Sequence, residues 1–265
     1  MSLRNIAALV QKEWRHYFGS PIAWVALFVW TVLFGFFYFA VFSSYLDYSQ
    51  RAAQQSMEYG GAGGMKMSLN EMLIRPVIQN MAVVALFILP MLTMRLFAEE
   101  KRQGTMELLA TSPLTDWEII LGKFLGAVGL YALMIAAGLF NVVLLWAYAP
   151  VPPEWKPIAT AALALLLVGS SFIALGLFLS SLTKNQIIAG ALGFCLALIF
   201  WILSWFDQPM GDATLKVIGY LGVTNHMEDM LKGVLDTKDV VFYLSFIVFG
   251  LFLTQQTLES QRWRA

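Results

Sequence analysis

Long apolar stretches alternate with short polar ones along the whole chain. A membrane-spanning helix needs about 20 consecutive, mostly apolar residues. Six stretches fit that pattern, at 22–42, 77–96, 118–148, 157–179, 187–206 and 240–257. The third is longer than a bilayer requires, so it should tilt or protrude. The pattern predicts an all-α integral membrane protein with one transmembrane domain over residues 1–265.

The first residues show a different periodicity. Apolar residues recur at helical spacing within 3–18, namely Leu3, Ile6, Ala7, Val10, Trp14, Tyr17 and Phe18. Polar residues fill the opposite face, namely Arg4, Asn5, Gln11, Lys12 and Arg15. Gly19, Ser20 and Pro21 then break the helix. We expect an amphipathic helix in the membrane interface; a tail exposed to water is the alternative.

A polar island separates the second and third apolar stretches. Its charged residues come first, at 99–102, followed by Gly104, a helical stretch at 105–111 and a break at Ser112 and Pro113. Thr115 and Glu118 then have the three-residue spacing of a capping box at a helix start. The pattern predicts a short helix outside the membrane that is hinged onto the third span. A soluble partner could bind this short helix.

The composition agrees with a membrane protein and excludes other classes. Hydrophobic residues make up 59% and charged residues 13%, against about 45–50% and 25% in soluble domains. The net charge of zero does not fit nucleic-acid binding. Cys195 lies in an apolar stretch and is expected to pack there. Only two histidines occur, far apart in sequence, so no metal site is predicted.

Lysine and arginine counts set the expected orientation. Ten fall on the side with the termini, the 95–123 region and the 180–186 turn, and seven on the other side. Both termini are therefore expected in the cytoplasm, with 47–76 and 207–239 external. A helical stretch is expected at 224–235, and the glycine-rich part of 47–76 is expected to be flexible.

Catalytic motifs are absent from the sequence. It has no P-loop pattern and no HExxH, CxxC or GxSxG, so the chain is expected to be no enzyme and to have no ATP site. An intramembrane hydrolase using 169–171 and His226 is an alternative, but small residues there fit close helix packing better. The span cores carry almost no ionisable groups, which favours movement driven by an external energy source.

Two pairs of small residues raise a separate question. Gly122 with Gly126, and Ala189 with Gly193, have the four-residue spacing of close helix contacts. Either pair could lie within the chain or at a dimer seam.

Three stretches resemble the permease subunits of ABC-2 type ABC transporters, and in particular the gliding-motility-associated and copper-enzyme-maturation branch. They are FAEEKRQGTMELLATSPL at 97–114, continuing into WEIILGK at 117–123; GLFLSSLTKNQ at 176–186; and the tail with Lys232–Gly233, Lys238–Asp239 and 262–264. The resemblance implies six transmembrane helices after an interfacial helix. It also implies that 97–114 is a coupling helix that contacts a cytosolic ATPase. That ATPase would bind ATP and magnesium, so this chain is expected to need no cofactor.

The resemblance further implies a bacterial inner-membrane complex of two permease and two ATPase subunits, surrounded by lipid and without nucleic acid. The resemblance does not identify the cargo, and it does not indicate whether the two permease subunits are identical. The expected coupling residues are Glu99, Glu100, Gly104, Thr105, Glu107, Leu108, Leu109, Ser112 and Pro113, with Thr115 and Glu118 as the cap. Charged contacts would come from the glutamates and apolar contacts from the leucines. A membrane assembly or mechanotransmission component that moves no cargo is the alternative.

Overall fold

Helices account for the architecture of the described residues. The computed structural model describes residues 2–58, 68–107, 113–148, 153–206, 217 and 219–262, and no strand occurs among them. The helices are α1 Leu3–Gly19, α2 Pro21–Glu58, α3 Arg75–Thr93, α4 Ala98–Gln103, α5 Asp116–Tyr148, α6 Trp155–Leu182, α7 Gln186–Leu203, α8 Asn225–Leu231 and α9 Thr237–Arg262. A π-helical turn, Asn70–Ile74, leads into α3. The predicted all-α class is confirmed.

Six of these helices are long and apolar enough to cross a membrane. They are α2, α3 with its flanking turns, α5, α6, α7 and α9, in the order that the hydropathy pattern predicts. Their ends differ most in α2, which continues through Glu58 although residues from 47 onward were expected in a loop. Its 38 residues span about 57 Å at 1.5 Å per residue, so α2 extends well beyond the hydrocarbon layer.

The centre of the bundle is α6. In its most apolar 18-residue stretch 78% of residues are buried, against 11% in α2 and in α7. Small residues allow this central position: Gly169 lies under the ring of Tyr131 and Gly176 against Thr93, with no room for a Cβ at either glycine. The Tyr131 hydroxyl donates a hydrogen bond to the Leu165 carbonyl at 3.1 Å.

The outer helices α2 and α7 present apolar side chains to their surroundings. Phe28, Phe36 and Ile199 are among them, each more than half exposed. Such faces are suited to contact with lipid, because they contain no charged group that would have to be removed from water. Cys195 also lies exposed on α7, so the expectation that it packs inside the chain was wrong. Helix α7 has apolar residues all round, so hydropathy alone does not indicate which side faces inward.

Two opposite ends of the bundle are distinguished by their contacts. At one end, here named the terminal face, α1 packs on the start of α5, and α4 lies beside α1. The end of α9 also reaches this face, where Gln261 donates a hydrogen bond to the Ser181 carbonyl at 3.2 Å. At the other end, the far face, Arg75 forms an ion pair with Glu228 at 3.5 Å. The start of α1 and the end of α9 therefore share a face, as the sequence predicts.

A buried polar pair anchors the short helix α8 at the far face. His226 Nδ1 lies 2.7 Å from an oxygen of Asp239, and His226 Nε2 lies 2.9 Å from the Tyr220 carbonyl. Helix α8 is shorter than the predicted 224–235 stretch, and the chain turns at Gly233 with φ 89°. Since both ring nitrogens of His226 already have partners and the Ser171 hydroxyl bonds the Leu167 carbonyl of its own helix, the described contacts do not support a hydrolase site.

Candidate functional site

The polar island begins where α3 breaks at the terminal face. Ser180, on α6 and fully buried, holds this break. Its hydroxyl accepts hydrogen bonds from the backbone N–H groups of Phe97 and Ala98, at 3.1 and 3.0 Å, and donates to the Met94 carbonyl at 3.0 Å. One side chain thus satisfies backbone groups on both sides of the break. The direction in which α4 leaves α3 is therefore fixed by α6.

Lys101 ties α4 to the same helix. Its ammonium donates to the Ser181 carbonyl, which also accepts from Gln261 at 3.2 Å. The ends of α6 and α9 and the middle of α4 consequently meet at one carbonyl group. A displacement of α4 would disturb both long helices.

Gly104 ends α4 in the left-handed conformation, with φ 71°. Residues with a side chain avoid this conformation, which makes glycine the favoured helix terminator. The Thr105 N–H then closes the turn on the Glu100 carbonyl at 3.0 Å. The predicted coupling helix at 97–114 is therefore divided at Gly104 into α4 and the part that follows.

The segment after Gly104 is described only in part. Glu107 and Pro113 are exposed. Leu108, Leu109 and Ser112, predicted to take part in coupling, lie outside the described residues. Their contribution stays a prediction from sequence.

A buried cluster of charges joins three separate elements behind α4. Lys123, on α5, is 2% exposed and lies 3.0 Å from a Glu13 oxygen on α1 and 2.9 Å from a Glu100 oxygen on α4. Lys12 lies 3.1 Å from the same Glu100 oxygen. The Lys123 ammonium also lies 5.3 Å from the centroid of the Phe97 ring. Buried charges of this kind require partners, so each of the three elements depends on the other two.

Helix α1 can reach this cluster because two glycines of α5 allow the two helices to approach closely. A Cβ on Gly122 would lie 2.5 Å from the Leu9 Cβ, and a Cβ on Gly126 would lie 2.9 Å from the Glu13 Cβ. Trp14 adds a hydrogen bond from its Nε1 to the Gly126 carbonyl at 3.2 Å. The four-residue glycine spacing therefore serves a contact within the chain.

The second pair of small residues is also internal. Ala189 is 2% exposed, and a Cβ on Gly193 would lie 3.6 Å from Pro90 of α3. Both pairs are thus occupied inside one chain. A seam between two copies would need other residues.

The start of α5 is capped as its sequence spacing suggests. The Glu118 N–H donates to the Thr115 hydroxyl at 3.3 Å, and the Thr115 N–H donates to Glu118 Oε2 at 3.0 Å. Glu118 Oε1 also accepts from the Ser2 N–H at 2.6 Å. The cap of α5 therefore also holds the beginning of α1.

Several of these residues were not singled out from the sequence. Glu99 and Glu100 were expected to face a partner, but their carboxylates are only 16% and 14% exposed and point toward α1 and α5. Lys123 was noted only as the end of the stretch at 117–123, and Glu13 was not noted. A signal was available, since each interrupts an apolar face, where a buried charge requires a partner.

Two sequence comparisons relate this chain to known proteins. Residues 7–259 match the family described as ABC-2 family transporter protein. The chain is also 30% identical over 142 residues to the protein named probable multidrug ABC transporter permease YbhR in Escherichia coli strain K12 and in Escherichia coli O157:H7. That match covers 51% of this chain and 36% of each relative, so the chain aligns with about a third of their length. The gliding-motility and copper-maturation branch stays a prediction.

Proposed function

The chain belongs to the ABC-2 transporter family, and on that premise we propose that it is the membrane subunit on which a cytosolic ATPase acts through residues 97–114. Movement of this segment by the ATPase would be passed to the spanning helices. The chain itself would neither bind nor hydrolyse ATP, which with magnesium would belong to the ATPase.

One arrangement carries this proposal. Helix α4 is linked to α6 through Ser180 and Lys101, to α5 through Lys123, and to α1 through Lys12. The link through Lys12 is an exposed ion pair, which contributes little, but Lys123 also contacts Glu13 of α1 in a buried pair, and buried, paired contacts resist deformation more. A force on α4 would therefore move three helices together instead of bending a loop.

The proposed residues divide into two groups by their surroundings. Glu99 and Glu100 face inward and would hold the segment in place. Gly104 would set the direction of the chain after α4, and Thr105 would close that turn. The ATPase would contact Glu107 and Pro113, which are exposed, and, from their positions in the sequence between these two, Leu108, Leu109 and Ser112.

The remaining assignments follow from the same proposal. We place the terminal face in the cytoplasm of a bacterial cell, with the chain in the inner membrane as one of two permease subunits. The relatives are named probable multidrug permeases, so drugs are the first cargo class to test. Movement of a cargo is favoured over cargo-free mechanotransmission because of that name.

The proposal is tested by two substitutions after Gly104, one that reverses a charge and one that introduces a charge. Glu107→Lys and Leu109→Asp should reduce co-purification of the ATPase and its stimulation, because charge changes at an interface alter association. Asp229→Lys, at the far face, is the matched control and should leave both unchanged. Normal assembly and activity in both Glu107→Lys and Leu109→Asp would contradict the proposed contact.

The orientation has its own test. In a Cys195→Ala background, a cysteine replacing Ser68, which is exposed, should react only with a reagent added outside the cell. A cysteine replacing Pro113 should react only from the cytoplasmic side. The reverse pattern would place the ATPase contact on the wrong side of the membrane.

A further inference from the structure

A cavity of about 220 Å³ lies beside α4 at the terminal face. Its polar wall includes His16, Arg95 and Glu99, and its apolar wall includes Ile22, Ala23 and Met91. Met91 is 61% exposed, so this wall continues into the outer apolar surface of the bundle. The cavity is much larger than a single water needs and joins charged groups to a lipid-facing surface.

Four polar atoms at this cavity have no hydrogen-bond partner among the described residues. They are the Tyr17 hydroxyl, Arg95 Nε and one carboxylate oxygen each of Glu99 and Glu100. Tyr17 is only 9% exposed. Burial raises the pKa of Tyr17, so its hydroxyl keeps its proton and can donate. A buried polar group without a partner costs free energy, which makes each of these atoms a candidate for binding something.

The charges around the cavity balance. Lys12 and Lys123 are matched by Glu13 and Glu100 in the buried cluster. Glu99 Oε2 lies 3.9 Å from His16 Nε2, too far for a hydrogen bond, and Arg95 has no ion pair among the described contacts. An anion would meet the free carboxylate oxygens, and a cation would meet Arg95. A ligand that carries both charges satisfies both sides.

We propose that this cavity binds the headgroup of a phospholipid that carries a primary ammonium beside its phosphate. The phosphate would accept hydrogen bonds from Arg95 and Tyr17, because charge-assisted bonds to phosphate are strong. The ammonium would donate to the free oxygens of Glu99 and Glu100. The acyl chains would leave along Met91 into the surrounding bilayer.

This chemistry distinguishes the ligand from common lipids of similar size. A choline headgroup has no N–H to donate, so the two carboxylate oxygens would stay unpaired. A glycerol headgroup has no cation, so the free carboxylate oxygens of Glu99 and Glu100 would gain no charged partner. Free O-phosphoethanolamine has the right charges but nothing to cover the apolar wall.

The test is lipid binding to the full-length chain purified in detergent. Palmitoyl-oleoyl phosphatidylethanolamine, the corresponding phosphatidylcholine and phosphatidylglycerol, and free O-phosphoethanolamine are titrated in native mass spectrometry and thermal melting. We expect the ethanolamine lipid to bind at least fivefold more tightly than the other three. Tyr17→Phe should weaken it about two- to tenfold, the usual net effect of one hydrogen bond, and Arg95→Gln should weaken it further.

Tyr48→Phe provides the matched control. It also removes a tyrosine hydroxyl, but Tyr48 lies in the second half of α2, far along that helix from the cavity, so lipid binding should not change. The Tyr17 hydroxyl has no partner in the lipid-free protein, so Tyr17→Phe should melt no earlier than wild type without lipid. This separates a lost ligand contact from a damaged fold.

Four results would overturn the proposal. Equal binding of all lipids would mean that the cavity does not recognise the headgroup. Phosphatidylglycerol binding as tightly as phosphatidylethanolamine, or free O-phosphoethanolamine binding as tightly as the lipid, would refute the ligand class. Unchanged binding by both Tyr17→Phe and Arg95→Gln would place the lipid elsewhere.

Discussion

Lys123→Met tests the buried charge cluster most severely. The substitution keeps a long side chain at a position that is 2% exposed but removes the only charge that contacts both Glu13 and Glu100 among the described ion pairs. Two carboxylates would then face each other without the cation between them.

The magnitude follows from the distances. The two carboxylate oxygens lie 3.0 and 2.9 Å from Lys123 Nζ. They are therefore within about 6 Å of each other, where two unit charges repel by about 3 kcal/mol at an effective dielectric constant of 20. Removing one partner of a buried pair typically costs about 3–5 kcal/mol. Glu100 keeps Lys12 at 3.1 Å, so we expect the lower end, about 3 kcal/mol.

Hydrogen–deuterium exchange of α1 in the purified chain measures this loss where it occurs. If α1 is held on α5 by the cluster, a loss of about 3 kcal/mol corresponds to roughly a hundredfold faster exchange. Lys156→Met, an exposed lysine on α6, is the control and should leave exchange unchanged.

A double variant separates charge from packing. Glu13→Met combined with Lys123→Met removes both buried charges, and replacing a buried ion pair by apolar residues is often neutral. The double variant should therefore exchange more slowly than Lys123→Met alone. Unchanged exchange in Lys123→Met, or a double variant that exchanges at least as fast as Lys123→Met alone, would refute the proposed role of the cluster.

Three further changes test the contacts around α4. Gly122→Val should displace α1, because the added Cβ would lie 2.5 Å from the Leu9 Cβ; overpacking costs about 1–3 kcal/mol, and unchanged exchange of α1 would reject the contact. Ser180→Ala should cost about 1–3 kcal/mol in a melting experiment, since two buried N–H donors lose their acceptor. Ser171→Ala, which loses only a bond within its own helix, should cost less, and equal losses would contradict the role of Ser180. Thr115→Ala should cost about 1 kcal/mol through the lost cap, and an unchanged melting temperature would show that the cap is dispensable.

Features set by the bilayer could be predicted from the sequence. Span number and order follow from length and hydropathy, because spanning helices must be long and apolar. The hydrogen bonds of Thr115 and Glu118 follow from a local spacing. The end of α2 did not follow, because the polar residues after Asp47 are compatible with either a helix or a loop.

Contacts between distant residues could not be predicted in the same way. Glu13 and Lys123 are 110 positions apart, and neither spacing nor composition relates them. Helix α1 has one apolar face exposed at Leu3 and another buried at Leu9 and Tyr17. The periodicity identified the helix but could not tell which face would meet α5.

The role of Ser180 was hidden for a similar reason. It lies in a stretch that matches the family pattern, but a serine in an apolar helix most often bonds its own backbone. Its three contacts arise only because α3 breaks beside it. The same folding turns Glu100 inward, away from the partner it was expected to meet.

Site-specific photo-crosslinking tests the central claim that the segment after Gly104 contacts an ATPase. A benzophenone amino acid is placed at Glu107, at Pro113 and, as the far-face control, at Asp229, in the complex purified with its co-purifying ATPase. We expect adducts with the ATPase from Glu107 or Pro113 and none from Asp229. An ATPase that co-purifies but forms no adduct at either terminal-face position, or forms one equally at Asp229, would contradict the account.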